Sequence, residues 1–367
     1  MDFKDTNIKT SLVKQLQKSG IKELTPIQER AIPLIKAGRD IIAEAQTGTG
    51  KTLAFLLPIF DRLDPEDKSL QALVLTPTRE LALQIAEVAK SLAQAEGIGV
   101  MELYGGRNIG AQQKKLKGSV QVVIATPGRL LDHIERDTLA LDRVKYFVLD
   151  EADQMLVMGF KNEVDRIIRL MPRNRQTLCF SATMKPGAKK LAFQYTFQPE
   201  TITIAPKEVT VASIHQEVVI TTDRQKYPAL IKALDADNPF LAIIFCRTKR
   251  RADELLAKMK KEKYNVGLIH SDIPQNKRER ILKSFRDAKL QYLIATDVAS
   301  RGLDISGITH IYNFDVPELP ETYIHRIGRT GRVGADGYTC MFVTPASDLE
   351  FNMIERRLRS NIPRREL

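Results

Sequence analysis

Ala45-Gln46-Thr47-Gly48-Thr49-Gly50-Lys51-Thr52 sits between a short apolar run, 40–43 (DIIA), and a segment, 51–62, whose apolar residues recur with helical spacing. A strand that turns through a glycine-rich loop straight into a helix is a phosphate-binding device. Glycines let consecutive backbone N–H groups curl toward an anion, and the helix start adds its partial positive charge. Lys51 is placed to reach β- and γ-phosphates, and the Thr52 hydroxyl to ligate Mg²⁺. Position 45 departs from the generic pattern, being alanine where glycine is usual. A bare glycine-rich turn has no need of Gly-Lys-Thr at this place.

Outward from this loop, short apolar runs alternate with longer amphipathic stretches. The strand-like runs are 40–43, 71–75, 99–103, 121–125, 145–149 and 177–180, with helical patterns at 51–62, 79–95 and 161–170. That rhythm predicts a parallel sheet covered on both faces. It breaks over 205–215 (APKEVTVASIH), read as a linker or linker-adjacent strand. It restarts with 241–245, 265–269, 291–295, 308–312 and 338–343, and helical patterns at 249–263 and 275–286. The expected fold is α/β, with two doubly wound parallel-sheet domains in tandem. A length of 367 residues agrees with two domains.

Asp150-Glu151-Ala152-Asp153 follows the apolar run YFVL. Alone, four such residues after a strand are ordinarily a solvated helix start. Beside a phosphate loop they read as a hydrolytic site, with Asp150 holding Mg²⁺ and Glu151 orienting or deprotonating a water. Loop and tetrad together describe a P-loop NTPase.

Composition narrows the partners. Apolar residues make up 43% and charged residues 28%, an ordinary globular profile that excludes collagen, global disorder and a disulfide miniprotein. The net charge of +11 is shared, five over residues 1–210 and six over 211–367. A phosphate-rich ligand lying across both halves produces such a division, and so does a plain soluble surface. With no tryptophan and 6% aromatics, recognition on broad stacking platforms is disfavoured. Cys179, Cys246 and Cys340 each lie in an apolar run without CxxC spacing, and read as reduced core residues. No signal core opens the chain and no apolar run approaches a membrane span, so a cytoplasmic protein without a membrane partner is expected.

Further motifs occur in a fixed order: Thr25-Pro26-Ile27-Gln28 with Phe3 upstream, Pro77-Thr78-Arg79-Glu80-Leu81-Ala82, Thr126-Pro127-Gly128-Arg129, Ser181-Ala182-Thr183, Ala295-Thr296-Asp297 leading to Arg301-Gly302-Leu303-Asp304, and His325-Arg326-Ile327-Gly328-Arg329-Thr330-Gly331-Arg332. Each is uninformative alone. In order, with Asp-Glu-Ala-Asp intact, they resemble the DEAD-box ATP-dependent RNA helicases of superfamily two from about residue 3 to about residue 345. The resemblance implies two RecA-like domains: a helicase ATP-binding domain over 1–206 that includes an N-terminal Q motif (1–29), a linker over 207–213, and a helicase C-terminal domain over 214–367.

It also implies roles. Gln28 would read the adenine edge, with Phe3 holding its segment; Ile21 stands where many members stack an aromatic on adenine. Ala45, Gln46, Thr47, Gly48, Thr49, Gly50, Lys51 and Thr52 would bind the phosphates, and Thr52 and Asp150 the Mg²⁺. Glu151 would be the general base. Arg329 and Arg332 would contact the γ-phosphate, Arg332 as arginine finger, and Gly302 and Asp304 the nucleotide, Asp304 at its ribose. Asp153, Ser181, Thr183 and His325 would couple ATP to domain closure. RNA would be held by Pro77, Thr78, Arg79, Gly105, Gly106, Thr126, Arg129, Arg247, Gln275, Arg278 and Thr296, through phosphates and 2′-hydroxyls more than base edges. Small departures fall at Ser271, Ser300, Gln154 and Val157. The implied activity is RNA-stimulated ATP hydrolysis by a monomer that clamps RNA and opens short duplexes. Two other readings stay open: a related DNA translocase, disfavoured by the tetrad and the Gln28 motif, and an ATP-gated RNA clamp without useful unwinding.

Overall fold

The computed structural model describes residues 3–46, 48–106, 108–116, 118–204, 214–297, 305, 307–331 and 337–367. The chain divides into two compact units, 1–206 and 207–367. Stretch 207–213, Thr47, Gly302, Asp304 and Arg332 lie outside the described residues.

In the first unit seven strands form one sheet. They are β1 (Ile41–Glu44), β2 (Ala72–Leu75), β3 (Val100–Leu103), β4 (Val122–Ala125), β5 (Tyr146–Leu149), β6 (Gln176–Ser181) and β7 (Glu200–Thr203), in the order β3-β4-β2-β5-β6-β1-β7. All pairs are parallel. Alternate residues of one strand enter different cores: Ile41 and Ala43 face one, Ile42 the other. Helices α1 (Thr10–Lys18), α2 (Pro26–Lys36), α3 (Lys51–Arg62) and α4 (Arg79–Glu96) supply the first core. Helices α6 (Pro127–Glu135), α7 (Ala152–Val157), α8 (Lys161–Arg169) and α9 (Pro186–Tyr195) supply the second, and α5 (Ile109–Leu116) follows β3. Burial on both faces is why the strands read as continuous apolar runs. Strand β7 was not visible as one. Its sequence is Glu-Thr-Ile-Thr, it lies at the sheet edge, and only Ile202 is buried.

The second unit has β8 (Ile214–Ile220), β9 (Ala242–Cys246), β10 (Val266–Ile269), β11 (Tyr292–Thr296), β12 (His310–Asn313) and β13 (Gly337–Val343), ordered β10-β11-β9-β12-β13-β8 and again all parallel. Its helices include α10 (Lys226–Asp237), α11 (Lys249–Lys261), α12 (Gln275–Arg286), α13 (Pro320–Ile327) and α14 (Asp348–Leu358). Strand β8 begins at the end of the stretch read as a linker or linker-adjacent strand, and fits the second of those readings. The three cysteines are free and buried, and burial pushes the Cys179 and Cys340 thiols up to about 12, leaving them inert.

Strand β8 is an edge, and an open edge invites unwanted pairing. Here the C-terminal segment covers it: the Val218 N–H donates to Pro363 O (2.9 Å), and the Arg365 N–H to Val218 O (2.8 Å). Ile362 is buried in the adjacent core, and the Arg365 guanidinium forks onto Asp237 at 2.8 and 3.0 Å. Arg365→Ala keeps the backbone pairing but removes the guanidinium fork from the half-buried Asp237 carboxylate, which retains the Tyr312 hydroxyl at 2.7 Å. It should lower stability by about 1–3 kcal/mol. Urea unfolding followed by tyrosine fluorescence, readable because the chain lacks tryptophan, checks this.

Candidate nucleotide and nucleic-acid site

Parallel strands end at the same sheet edge, so the loops that leave them are neighbours. In the first unit the edge divides into two flanks. Strands β1, β6 and β5 are adjacent and lead into Ala45–Thr52, Ser181–Thr183 and Asp150–Asp153. Strands β2, β4 and β3 lead into Pro77–Arg79, Thr126–Arg129 and Gly105–Gly106.

On the first flank the loop is shaped by its glycines. Gly48 and Gly50 have φ of 81° and 91°, a region that side chains disfavour. A Cβ on Gly50 would lie 2.5 Å from Gln28 Nε2 and 2.8 Å from Thr25 Oγ1, so position 50 admits only glycine while Gln28 stays in place. Gln28 is 2% exposed. Its amide oxygen accepts the Thr25 N–H and its amide nitrogen donates to Gly50 O, both at 3.0 Å. This side chain is therefore a brace between α2 and the loop and not a solvated helix start. Phe3 is buried in the same core as α2, and Ile21 packs against that core. Ala45 extends the β1 pairing, donating its N–H to Ser181 O at 3.0 Å, with its methyl buried; a Cβ is tolerated there because the backbone is still strand-like. Lys51 is buried and donates to Ala45 O at 2.8 Å, folding its ammonium over the loop. Thr49 Oγ1 donates to Gln46 O.

Asp150 and Glu151 are almost fully buried at the end of β5, and Glu151 holds a left-handed backbone with φ 52°. Burial raises the Asp150 carboxyl above its usual range, and the Lys51 charge and the Glu151 N–H oppose that rise. With Thr52 the group offers only hard oxygen donors, the chemistry of a hard divalent cation. Among the described residues no cluster of three or more His, Cys, Asp or Glu forms a metal cage, so such a cation would take most of its ligands from outside the protein. Ser181, Thr183 and Asp153 form one network: Asp153 N–H to Ser181 Oγ (3.3 Å), Ser181 Oγ to Thr183 O (2.7 Å), and Thr183 Oγ1 to Asp153 Oδ2 (2.8 Å). It ties the end of β6 to the first turn of α7.

On the second flank Thr78 caps α4, accepting the Leu81 N–H at 3.3 Å, and Arg79 is exposed. The Arg79 guanidinium lies against Gly105, where an added Cβ would be 3.1 Å from Nη2. Thr126 precedes α6, and Arg129 is anchored to Gln112 Oε1 at 2.7 Å.

The second unit repeats the division. Arg247 and Gln275 with Arg278 follow strands β9 and β10, and Thr296 ends β11 between them in the sheet. Gln275, Arg278 and Thr296 are largely buried, whereas Arg247 is exposed and reaches Glu350 Oε1 (3.2 Å) and Val316 O (3.0 Å). His325 lies in the last turn of α13, and Arg329 follows that helix. Between them Arg326, absent from the sequence-based site, is the largest fully buried side chain. Nε and Nη2 fork onto Asp297 at 2.6 and 2.8 Å, and Nη1 donates to Asn313 Oδ1 and Asp315 O at 3.0 and 2.7 Å. The guanidinium also lies 4.9 Å from the Phe245 ring centroid. The available signal was its spacing with Tyr323 and Ile327, one buried helix face. Arg326→Lys keeps the charge but loses the fork, and should cost about 1–3 kcal/mol of stability, read as a lowered midpoint in thermal unfolding.

Two family models match the chain: DEAD/DEAH box helicase over residues 25–191 and Helicase conserved C-terminal domain over 225–334. The ATP-dependent RNA helicase CshA of Limosilactobacillus reuteri is 46% identical over 359 residues, covering 98% of this chain and 72% of that protein. The DEAD-box ATP-dependent RNA helicase CshA of Bacillus subtilis (strain 168) is 44% identical over 362 residues, 99% of this chain and 73% of its own. Among solved structures, S. cerevisiae Dbp5 bound to RNA and ADP BeF3 matches with a TM-score of 0.90 and 33% identity, over 99% of this chain and 95% of that one. Mss116p, with its NTE and C-tail deleted and bound to ssRNA and AMP-PNP, matches with 0.87 and 30%, over 100% and 79%.

Proposed function

The chain belongs to the DEAD/DEAH box helicase family, and on that premise we propose that it is an ATP-dependent RNA helicase that clamps RNA and opens short duplexes locally, without processive travel. One observation carries the reading. A phosphate loop and an Asp-Glu pair occupy one flank of a sheet edge whose other flank presents Thr78, Arg79, Gly105, Gly106, Thr126 and Arg129. Nucleotide chemistry and backbone-reading groups therefore leave adjacent strands of one rigid sheet.

In this mechanism ATP binds with its phosphates against the Gly48–Thr52 backbone, and Lys51 exchanges its carbonyl partner for phosphate oxygens. Gln28, already fixed by Thr25 and Gly50, selects adenine. Thr52 and Asp150 would hold a Mg²⁺ bound with the nucleotide, which supplies neutralisation of phosphate charge. Glu151 takes the proton from the attacking water. By the family resemblance Arg329 and Arg332 contact the γ-phosphate, and Gly302 and Asp304 the nucleotide; Arg332, Gly302 and Asp304 lie outside the described residues. Asp153, Ser181, Thr183 and His325 register closure of the units. RNA is held through its backbone by the second flank and by Arg247, Gln275, Arg278 and Thr296, so its sequence matters little. Closure bends one strand, which a duplex resists, and a few base pairs open. Hydrolysis and phosphate release then free the RNA. The acting species is a cytoplasmic monomer.

ATP turnover measured with and without RNA tests this. RNA should stimulate the wild type strongly and DNA should not. Glu151→Gln should cut turnover by about 10²–10⁴-fold while retaining ATP-dependent RNA binding, and Lys51→Ala should lose that binding. Equal turnover with and without RNA contradicts the proposal, and duplex release by ATP binding without turnover favours the clamp without useful unwinding.

A further inference from the structure

Arg129 does not reach the second flank unaided. Its Nη1 donates to Gln112 Oε1 at 2.7 Å, and its Nε lies 3.6 Å from Asp132. Gln112 comes from α5, the helix that follows Gly105–Gly106, and is 6% exposed. The same oxygen faces His133 Nε2 at 3.2 Å. His133 is completely buried, one turn after Arg129 on α6, and its Nδ1 lies 2.9 Å from Thr138 Oγ1. That hydroxyl's single hydrogen is shared between Nδ1 and the His133 carbonyl oxygen, 2.8 Å away, both of which accept.

The donors settle which atom is which. A guanidinium can only donate, so the Gln112 atom facing it is oxygen. The His133 nitrogen facing that oxygen must then carry hydrogen. Burial, with the nearby Arg129 charge adding to it, holds the imidazole below its ordinary range, so the ring is neutral with its proton on Nε2. Here a buried ring fixes the oxygen end toward Arg129, and rotation would set two donors against two donors.

Resting on the reading of Arg129 as an RNA-backbone contact, we infer that Gln112 is a positioning residue for RNA binding: it aims the Arg129 guanidinium and is itself oriented by His133. The chain Thr138–His133–Gln112–Arg129 also joins two backbone-reading segments, because α5 begins just after Gly105–Gly106 and Arg129 lies in the first turn of α6. Losing one anchor frees a long side chain that must be ordered again when a phosphate arrives. The effect belongs to RNA affinity and leaves the nucleotide flank alone.

The test is a double-mutant cycle in RNA-stimulated ATPase assays on the full chain, with Gln112→Met as near-isostere and Arg129→Ala as partner. Gln112→Met should raise the RNA concentration for half-maximal stimulation by about tenfold. Turnover at saturating RNA, the KM for ATP and the RNA-free rate should stay within twofold. In the Arg129→Ala background the same change should add nothing. His133→Phe, which keeps the ring but removes the N–H, should shift RNA dependence in the same direction and also add nothing on Arg129→Ala. Arg129→Ala without effect on RNA dependence overturns the reading of Arg129. An Arg129→Ala effect to which Gln112→Met adds in full overturns the inference alone, since Gln112 then acts independently. So does a Gln112→Met protein whose only change is a lower unfolding midpoint. If Gln112→Met does not fold, the His133→Phe arm of the cycle decides by the same outcomes.

Discussion

Parallel pairing is the constraint from which the rest of this structure follows. All the strand pairs found in either sheet run the same way, so every strand delivers its outgoing loop, and the start of the next helix, to one edge. That edge gathers backbone N–H groups and positive helix ends. An anionic ligand is thus favoured there before any side chain is considered. The strand order then assigns neighbours: β1 sets its loop beside those of β5 and β6, which end at Leu149 and Ser181, and β2, β4 and β3 gather the loops that follow Leu75, Ala125 and Leu103 beside them.

Polar groups held at such an edge need partners, and the structure supplies many of these locally. Gln28 satisfies Thr25 and Gly50 at once, and Asp153 is joined to Ser181 and Thr183. In the second unit Asp315 accepts from Lys226 at 3.0 Å, from Arg251 at 3.2 Å and from the Arg247 N–H at 2.9 Å, while its carbonyl serves Arg326. Such buried networks fix one geometry, because any half-satisfied alternative leaves a buried charge or amide uncompensated. A site that must recognise phosphate geometry gains from that rigidity more than from added affinity.

The sequence showed most of the architecture because burial on both faces writes each inner strand as an apolar run. Strands β1 to β6 and β9 to β13 lie within a residue or two of the runs that announced them. Strand β7 escaped because an edge strand with one buried residue has no such run, and β8 is only one of two readings because its start shares a proline-bearing, aperiodic stretch with the join between the units. The site was legible where chemistry demands a residue type in a fixed frame, as in Gly-Lys-Thr or Asp-Glu. It was not legible where a residue acts only through its neighbours. Arg326 looks like one more cation in a basic motif, and Gln112 and His133 like ordinary polar positions. Their work depends on which elements pack beside them, and that is tertiary information.

The central claim is that the two flanks are one thermodynamic system, so that ATP and RNA each strengthen the other's binding. By linkage the two effects must be equal. The most direct measurement is the Kd for a single-stranded RNA with and without a saturating non-hydrolysable ATP analogue, paired with the Kd for that analogue with and without RNA. The account predicts that both affinities rise, by the same factor. RNA binding that is indifferent to the nucleotide contradicts it.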